Sequence, residues 1–203
     1  MKDEPTVYVV DNDQAVRDEL RISIMSVGLN VETYESASEF LEAFDPDRPG
    51  CLVLDIRMPG MSGLELQEVL QQRQIEIPII MISGHGDIPM AVQTVKKGAI
   101  DFLEKPFRDQ VLLDCIQKGV LKDSQTRLQK SEHGSIASRI NSLTARERLV
   151  LELVVAGKPN KVIAFDLGIK QKTVEFHRAR MMAKMMAESV PDLVKMATKV
   201  GVT

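Results

Sequence analysis

The chain has 203 residues, of which 44% are hydrophobic and 27% charged, and its formal net charge is −3. This composition is typical of a folded soluble protein of one or two domains and excludes a disordered or fibrous chain. No run approaches the ~18 apolar residues of a membrane helix, and the polar residues 1–5 do not resemble a signal peptide. Two distant cysteines, Cys51 and Cys115, exclude a disulfide framework. We therefore expect a cytoplasmic protein without membrane insertion.

The charge is distributed unevenly along the chain. Residues 1–120 carry 11 basic and 21 acidic side chains, a net charge of −10, whereas residues 141–203 carry 11 and 6, a net charge of +5. This asymmetry indicates that a polyanionic partner, if there is one, binds the C-terminal part.

Strand and helix patterns alternate over the first 122 residues. The predicted strands cover residues 7–10, 30–34, 52–54, 78–82 and 100–103. The predicted helices cover residues 15–27, 39–44, 63–72, 88–97 and 108–122. Five such alternations predict an α/β domain, residues 1–122, with a parallel five-stranded sheet and helices on both faces.

The remaining sequence is purely helical in pattern. Polar residues 123–141 predict a helical linker, and four short helices are predicted at 145–156, 161–167, 171–187 and 192–200. Thr144 and Glu147 form a capping box for the first of these helices, and Asn160 is expected to cap the second. The chain therefore ends in a predicted small all-α domain, residues 142–203.

Polar groups follow several of the predicted strands. Asp55 ends the third strand, and Asp11, Ser83 and Lys105 follow the first, fourth and fifth. Parallel strands bring their carboxyl ends to one edge of a sheet, where such folds bind ligands. An aspartate beside an oxygen-liganded cation, with a lysine and a hydroxyl as donors, can accept a phosphoryl group. Each residue alone would be an ordinary solvated side chain or helix cap, but four at successive strand ends favour a phosphoryl site.

Residues 1–122 resemble the receiver domain of bacterial two-component response regulators. The matching stretches are residues 9–13 (VVDND), 54–63 (LDIRMPGMSG), 82–84 (ISG) and 102–107 (FLEKPF). The resemblance implies a flavodoxin-like (βα)5 fold in which a histidine kinase phosphorylates Asp55. It also implies Mg²⁺ at Asp11, Asn12, Asp55 and the Arg57 carbonyl, a cis Lys105–Pro106 peptide, and a switch formed by Ser83, Lys105 and Phe102.

The metal corner, residues 11–13 after the first predicted strand, departs from the family pattern. The family usually has two successive acids, and this chain has Asn12 in the second position. An amide oxygen can still coordinate Mg²⁺ but removes one negative charge, so we expect weaker Mg²⁺ binding than at a two-acid site.

The same corner also resembles the Asp-x-Asp start of haloacid-dehalogenase-type phosphatases. In that interpretation Asp11 is the nucleophile and Asp13 the acid/base. Ala15 stands where those enzymes favour Thr or Val, and no acidic pair follows the fourth strand. The sequence therefore favours a receiver, which is not an enzyme, over a phosphatase.

Residues 160–180 predict a helix-turn-helix. Gly168 makes the turn, and Ile163, Ala164 and Val174 are spaced to pack the two helices together. The second helix could enter the major groove of double-stranded DNA. Its basic side chains could then neutralise phosphates, and Glu175 could accept a hydrogen bond from a cytosine amino group. The alternative from charge alone is a helical bundle with a solvated basic face. The candidate DNA-binding residues are Lys161, Lys170, Lys172, Thr173, Glu175, Phe176, His177, Arg178, Ala179 and Arg180.

Residues 142–200 are similar to the LuxR/FixJ-type helix-turn-helix domain, from residues 143–147 (LTARE) through Lys184 and Met185. Phe176 is bulkier than the family's usual aliphatic residue, which leaves core packing as an alternative role for it. Together the two parts most resemble FixJ-type transcriptional regulators. The resemblance implies phosphorylation-promoted homodimerisation and promoter binding. The alternative is a DNA-binding protein that works without phosphorylation, in which Asn12 indicates a receiver that has lost its phosphorylation function.

Overall fold

The computed structural model describes residues 4–84 and 88–202, and the side chains of residues 88–90 lie outside the described part. The chain divides into two compact units, Met1–Thr126 (unit 1) and Arg127–Thr203 (unit 2). None of the described helices is both long and apolar enough to cross a bilayer. The domain boundaries at residues 122/123 and 141/142 remain predictions.

Unit 1 contains the five strands and most of the first five helices. The strands are β1 (Thr6–Val10), β2 (Asn30–Tyr34), β3 (Gly50–Asp55), β4 (Ile79–Ser83) and β5 (Asp101–Glu104). The helices are α1 (Gln14–Ser26), α2 (Ala37–Ala43), α3 (Gly63–Gln72), α4 (Ile88–Lys96) and α5 (Asp109–Asn141), of which α5 also contributes residues to unit 2.

All neighbouring strands pair in parallel in the order β2-β1-β3-β4-β5, which confirms the flavodoxin-like α/β prediction. The strand order reverses beside β1, where the chain passes to β2 on one side and β3 on the other. In open α/β sheets this switch point opens a crevice outside the carboxyl ends of the strands. Asp11 and Asp55 therefore lie on the two sides of that crevice.

Alternating side chains divide the core between the two faces of the sheet. Tyr8, Leu52 and Leu54 pack on one face with α2 and α3, whereas Val9 and Val53 pack on the other with α1 and α5. Because successive residues of a strand point to opposite faces, a strand that is covered on both faces has a continuous run of apolar residues in its sequence. The central strands β1, β3 and β4 are buried at every position.

Helix α5 continues without a break through the predicted helical linker. The sequence predicted a helix to residue 122 followed by a helical linker, and the structure has a single helix, Asp109–Asn141. Within unit 1 the buried Asp123 carboxylate accepts a 2.9 Å hydrogen bond from the Gly50 amide at the start of β3. Ile136 and Ile140, near the C-terminal end of α5, lie in the core of unit 2.

Unit 2 contains four further helices, as predicted. They are α6 (Ala145–Val155), α7 (Asn160–Leu167), α8 (Gln171–Met185) and α9 (Val190–Lys199). The capping box of Thr144 and Glu147 is present at the start of α6. Gly168 ends α7 in the left-handed conformation, φ 65°, which places α8 after a tight turn.

Two predicted details of unit 2 were wrong. Asn160 is the first residue of α7, and Pro159 holds the capping position without a side-chain bond. The Asn160 side-chain oxygen instead accepts a hydrogen bond from Arg178, so it is not used for the helix end. Helix α8 stops at Met185, two residues before the predicted end, because Met186 adopts a positive φ of 55°.

Candidate functional site

The carboxyl edge of the sheet brings Asp11, Asp55 and Lys105 into one cluster. Lys105 Nζ donates to Asp11 Oδ2 at 2.5 Å and to Asp55 Oδ1 at 2.9 Å. Asp11 and Asp55 are 1% and 5% exposed, so two nearly buried carboxylates share one partly exposed ammonium group. Three of the four strand ends singled out in the sequence therefore form one site by direct contact.

Backbone amides hold the other carboxylate oxygens. The Asp13 amide donates to Asp11 Oδ1 and the Arg57 amide to Asp55 Oδ2, both at 2.9 Å. Each oxygen thus has a fixed donor, which defines the orientation of both carboxylates before any ligand binds.

The fourth predicted strand end lies beside this cluster. Ser83 is fully buried at the end of β4, and its carbonyl accepts a 2.8 Å hydrogen bond from the Lys105 amide. The Lys105–Pro106 peptide is cis, as the receiver resemblance implied. Phe102, on β5, is half-buried and packs against the core on the α2 and α3 side of the sheet.

Two predicted site residues do not reach the carboxylates through hydrogen bonds of their side chains. Asn12 and Arg57 are both exposed. Within residues 4–84 and 88–202, neither of their side chains hydrogen-bonds to Asp11 or Asp55; the contribution of Arg57 is its backbone amide.

The second helix of the helix-turn-helix presents one continuous exposed face. Ile163 and Ala164 on α7 and Val174 on α8 are buried in the core of unit 2, as predicted. The exposed candidate DNA-binding residues are Lys161 on α7, Lys170 just before α8, and Lys172, Glu175, Phe176, Ala179 and Arg180 on α8. Thr173, His177 and Arg178 are partly buried. Phe176 is 54% exposed, so the core role considered for it was wrong.

Two family models match the chain. The "Response regulator receiver domain" model matches residues 7–117, and the model of "Bacterial regulatory proteins, luxR family" matches residues 141–197. The transcriptional regulatory protein FixJ of Azorhizobium caulinodans is 45% identical over 202 residues, covering all of this chain and 96% of that protein. FixJ of Rhizobium meliloti is 48% identical, covering 97% of this chain and 96% of that protein.

The chain belongs to the FixJ-type response regulators. A low-resolution structure of the response regulator StyR is similar over 97% of this chain and 99% of that one, with 47% identity and a TM-score of 0.89. The protein is thus a transcriptional regulator that joins a receiver to a LuxR-type DNA-binding domain. The prediction of a receiver domain is confirmed.

The electrostatics of the receiver site of this regulator are balanced by Lys105. Burial raises the pKa of the Asp55 carboxyl above its ordinary value, against the lowering effect of the Lys105 bond. Burial also disfavours the charge on Lys105, but its bonds to Asp11 and Asp55 outweigh this effect and raise its pKa. The ammonium group therefore remains charged and neutralises part of the acidic pair.

The receiver site fits a hard cation. Mg²⁺ keeps several waters and needs one or two carboxylates, which Asp11 and Asp55 supply at the crevice. In the described part of the chain no group of three or more His, Cys, Asp and Glu side chains is placed to hold a metal. Neutral oxygens, such as the Asn12 amide and the Arg57 carbonyl, together with water, would fill the remaining coordination positions of a bound cation.

Sequence reasoning missed two residues that shape the receiver site. Arg17 on α1 is buried and donates from Nη1 to the Asp11 carbonyl at 2.6 Å. Gly63 at the start of α3 lies so close to β3 that a Cβ atom would come within 2.2 Å of the Asp55 carbonyl oxygen. A charged residue in the apolar row of Leu20 and Ile24 was a readable signal for Arg17, whereas Gly63 is part of an ordinary helix start in the sequence.

Proposed function

We propose that a histidine kinase transfers a phosphoryl group to Asp55 and that this modification regulates the binding of unit 2 to promoter DNA. The observation that carries the proposal is the position of Lys105, which holds the carboxylates of Asp11 and Asp55 together at the crevice. A nearly buried aspartate beside a second acid and a lysine is the arrangement that phosphoryl transfer to a carboxylate requires.

Each residue has a definite part in the proposed chemistry. Asp55 is the nucleophile, Lys105 binds a phosphoryl oxygen as a point charge, and the Ser83 hydroxyl donates to another. Asp11, Asn12, Asp55 and the Arg57 carbonyl would hold Mg²⁺. The cation supplies neutralisation of the charge on the phosphoryl oxygens.

The proposed switch links this site to the rest of the receiver. Ser83 is joined through its carbonyl to the Lys105 amide, and the half-buried ring of Phe102 lies on the neighbouring strand. A Ser83 hydroxyl drawn towards the phosphoryl group would vacate space into which the Phe102 ring turns. We expect this two-state change to favour a homodimer, whose two helix-turn-helix units bind half-sites related by two-fold symmetry.

The exposed face of α8 is the proposed DNA contact. Lys161, Lys170, Lys172 and Arg180 are exposed cations that could neutralise phosphates. Arg178 is tied to Asn160 by a 2.7 Å hydrogen bond, so we assign it to holding α8 against α7 as well as to the DNA backbone. A role at chromosomal DNA also places the proposed site of action in the cytoplasm.

The proposal is tested by incubating the protein with acetyl phosphate and Mg²⁺ and measuring its intact mass. We expect a gain of one phosphoryl group in the wild type and no gain in Asp55→Asn. The matched control is Asp18→Asn, which removes an exposed carboxylate on α1 and should be modified like the wild type.

The other outcomes identify the alternatives. A gain that survives Asp55→Asn would overturn the assignment of the nucleophile and direct attention to Asp11. The absence of a gain in all three proteins would favour a regulator that binds DNA without phosphate.

A further inference from the structure

A phenylalanine is exposed on the DNA-reading face of α8. Phe176 is 54% exposed, although the core of unit 2 offers apolar surroundings to Val174 two residues earlier. Exposed beside it on the helix lie the polar Lys172, Glu175 and Arg180 and the small Ala179. The ring lies outside the buried core of unit 2, so it is available to its neighbours on the face or to a bound molecule.

Two neighbours contact this ring. The His177 ring lies edge-on to it, with the ring centroids 5.7 Å apart, and Arg180 lies one helical turn further on. The Arg180 guanidinium carbon lies 4.9 Å from the centroid of the Phe176 ring, which is within the range of a cation–π contact. Among the residues that the structure describes, no acid forms a salt bridge with Arg180. Glu175 accepts a hydrogen bond from Gln171 at 3.1 Å, towards the other end of the helix.

Stacking on a ring leaves the hydrogen-bonding groups of a guanidinium available. The contact uses the face of the planar group, whereas the N–H donors lie along its edge. In the major groove this edge matches the O6 and N7 atoms of guanine, and an apolar side chain matches the C5 methyl group of thymine.

We propose that Phe176 and Arg180 act as one specificity-determining unit that recognises a thymine next to a guanine. Phe176 contacts the thymine methyl group and also positions Arg180, whose guanidinium binds the neighbouring guanine. The inference rests on the proposed function in one respect, namely that α8 enters the major groove. It goes further by naming the base step and by coupling two residues that would otherwise act independently.

The test begins with selection of binding sites from a pool of randomised duplexes, using the full-length protein with acetyl phosphate and Mg²⁺. We expect the wild type to enrich a site with a thymine next to a guanine, and Phe176→Val and Arg180→Ala each to lose preference at both positions. The matched control is Phe165→Val, because Phe165 is 87% exposed but lies on α7. It should enrich the wild-type site.

The enriched duplex is then altered one atom group at a time. Replacing the thymine by uracil removes the methyl group and should weaken wild-type binding about threefold, and replacing the guanine by 7-deazaguanine should weaken it about tenfold. In Phe176→Val both effects should shrink, because the shorter valine side chain reaches the thymine methyl group less well and no longer stacks on Arg180. All substituted side chains are exposed, so the variants should keep the wild-type melting temperature, which circular dichroism checks.

Three results would overturn the inference. An enriched site without a thymine–guanine step would remove the assigned bases, and independent effects of the two variants would remove the coupling, while both would leave the DNA-binding function intact. Failure of the wild type to bind any duplex would overturn the proposed function and, with it, this inference.

Discussion

Lys105 determines the charge balance of the receiver site at the scale of single residues. Its ammonium group contacts both Asp11 and Asp55, and the three groups lie at the ends of strands β1, β3 and β5. Without a positive partner the two carboxylates would repel each other in a poorly solvated place. A divalent cation therefore competes with Lys105 for these carboxylates. An additional negatively charged ligand should strengthen the binding of the cation.

Asn12 is where this competition can be measured. Asn12→Asp adds a charged ligand at the metal corner, so we expect Mg²⁺ to bind more tightly by about 1 kcal/mol, roughly fivefold in affinity. Isothermal titration calorimetry of both proteins measures the difference. The control is Asn30→Asp, which adds the same charge at the first residue of β2, the opposite end of the sheet. Equal affinities for wild type and Asn12→Asp would show that residue 12 is not a ligand.

The chemistry of this site could be predicted from the sequence, but not every residue that supports it could. Asp11, Asp55 and Lys105 were identifiable because each ends or follows an apolar run, and parallel strands end at one edge. Gly63 is constrained by an approach of α3 to the Asp55 carbonyl that only the folded chain shows. In unit 2, asparagine is a residue type that often caps helices, yet the side-chain oxygen of Asn160 accepts a hydrogen bond from Arg178, 18 positions later.

At the scale of elements, a buried charge joins α6 to α8. Glu147 is 2% exposed, and its Oε2 accepts from Lys184 Nζ at 2.6 Å and from the Thr144 amide at 2.9 Å. The bond from Lys184 and that from the backbone of Thr144 lower the pKa of Glu147 from 4.5 to about 2. A carboxylate whose pKa is lowered by folding stabilises the folded state above its unfolded pKa and loses this effect as the pH falls.

Glu147→Gln tests this link. Glutamine retains the capping box but not the charge, so unit 2 should lose about 1 kcal/mol of stability at pH 7, a modest value because Lys184 is partly exposed. The difference from wild type should shrink as the pH falls from 4.5 towards 2. Urea unfolding followed through amide NMR signals of unit 2 measures it. Glu152→Gln, on the exposed side of α6, should change nothing, and a difference that does not vary with pH would contradict the ionic origin.

Elements were predictable where an apolar pattern or a cap marks them. The strands and the helices α1, α3 and α6 follow such patterns. Thr144 forms the expected capping box at the start of α6, and Ser62 forms a further one at the start of α3. The sequence predicted a helical linker after residue 122 but not that it forms one continuous helix with the residues before it, because residues 123–135 carry few apolar side chains. Its anchors are tertiary instead, namely the bond from the Gly50 amide to Asp123 and the burial of Ile136 in unit 2.

At the scale of the whole molecule, the receiver part and the DNA-binding part of the chain carry net charges of opposite sign. The front of the chain, residues 1–120, has a net charge of −10 and the last part, residues 141–203, a net charge of +5. DNA therefore attracts the C-terminal part and repels the receiver. Phosphorylation replaces the single negative charge of the Asp55 carboxylate by about −1.5 to −2 charges on the acyl phosphate, a net change of about −0.5 to −1 at neutral pH, so direct electrostatics would make phosphorylation weaken DNA binding. If phosphorylation strengthens binding, the gain has to come from assembly.

The proposed homodimer should change both the molecular mass and the salt dependence of DNA binding. Two helix-turn-helix units contact about twice as many phosphates as one, and the slope of log K against log salt is proportional to that number. We expect phosphorylation to double the molecular mass in light scattering and to make the slope about twice as steep. Fluorescence anisotropy with a labelled duplex measures the slope, and Asp55→Asn with acetyl phosphate is the control. A steeper slope without a change in mass would mean that each monomer exposes additional cations. A doubled mass with an unchanged slope would mean that the second helix-turn-helix does not reach the DNA.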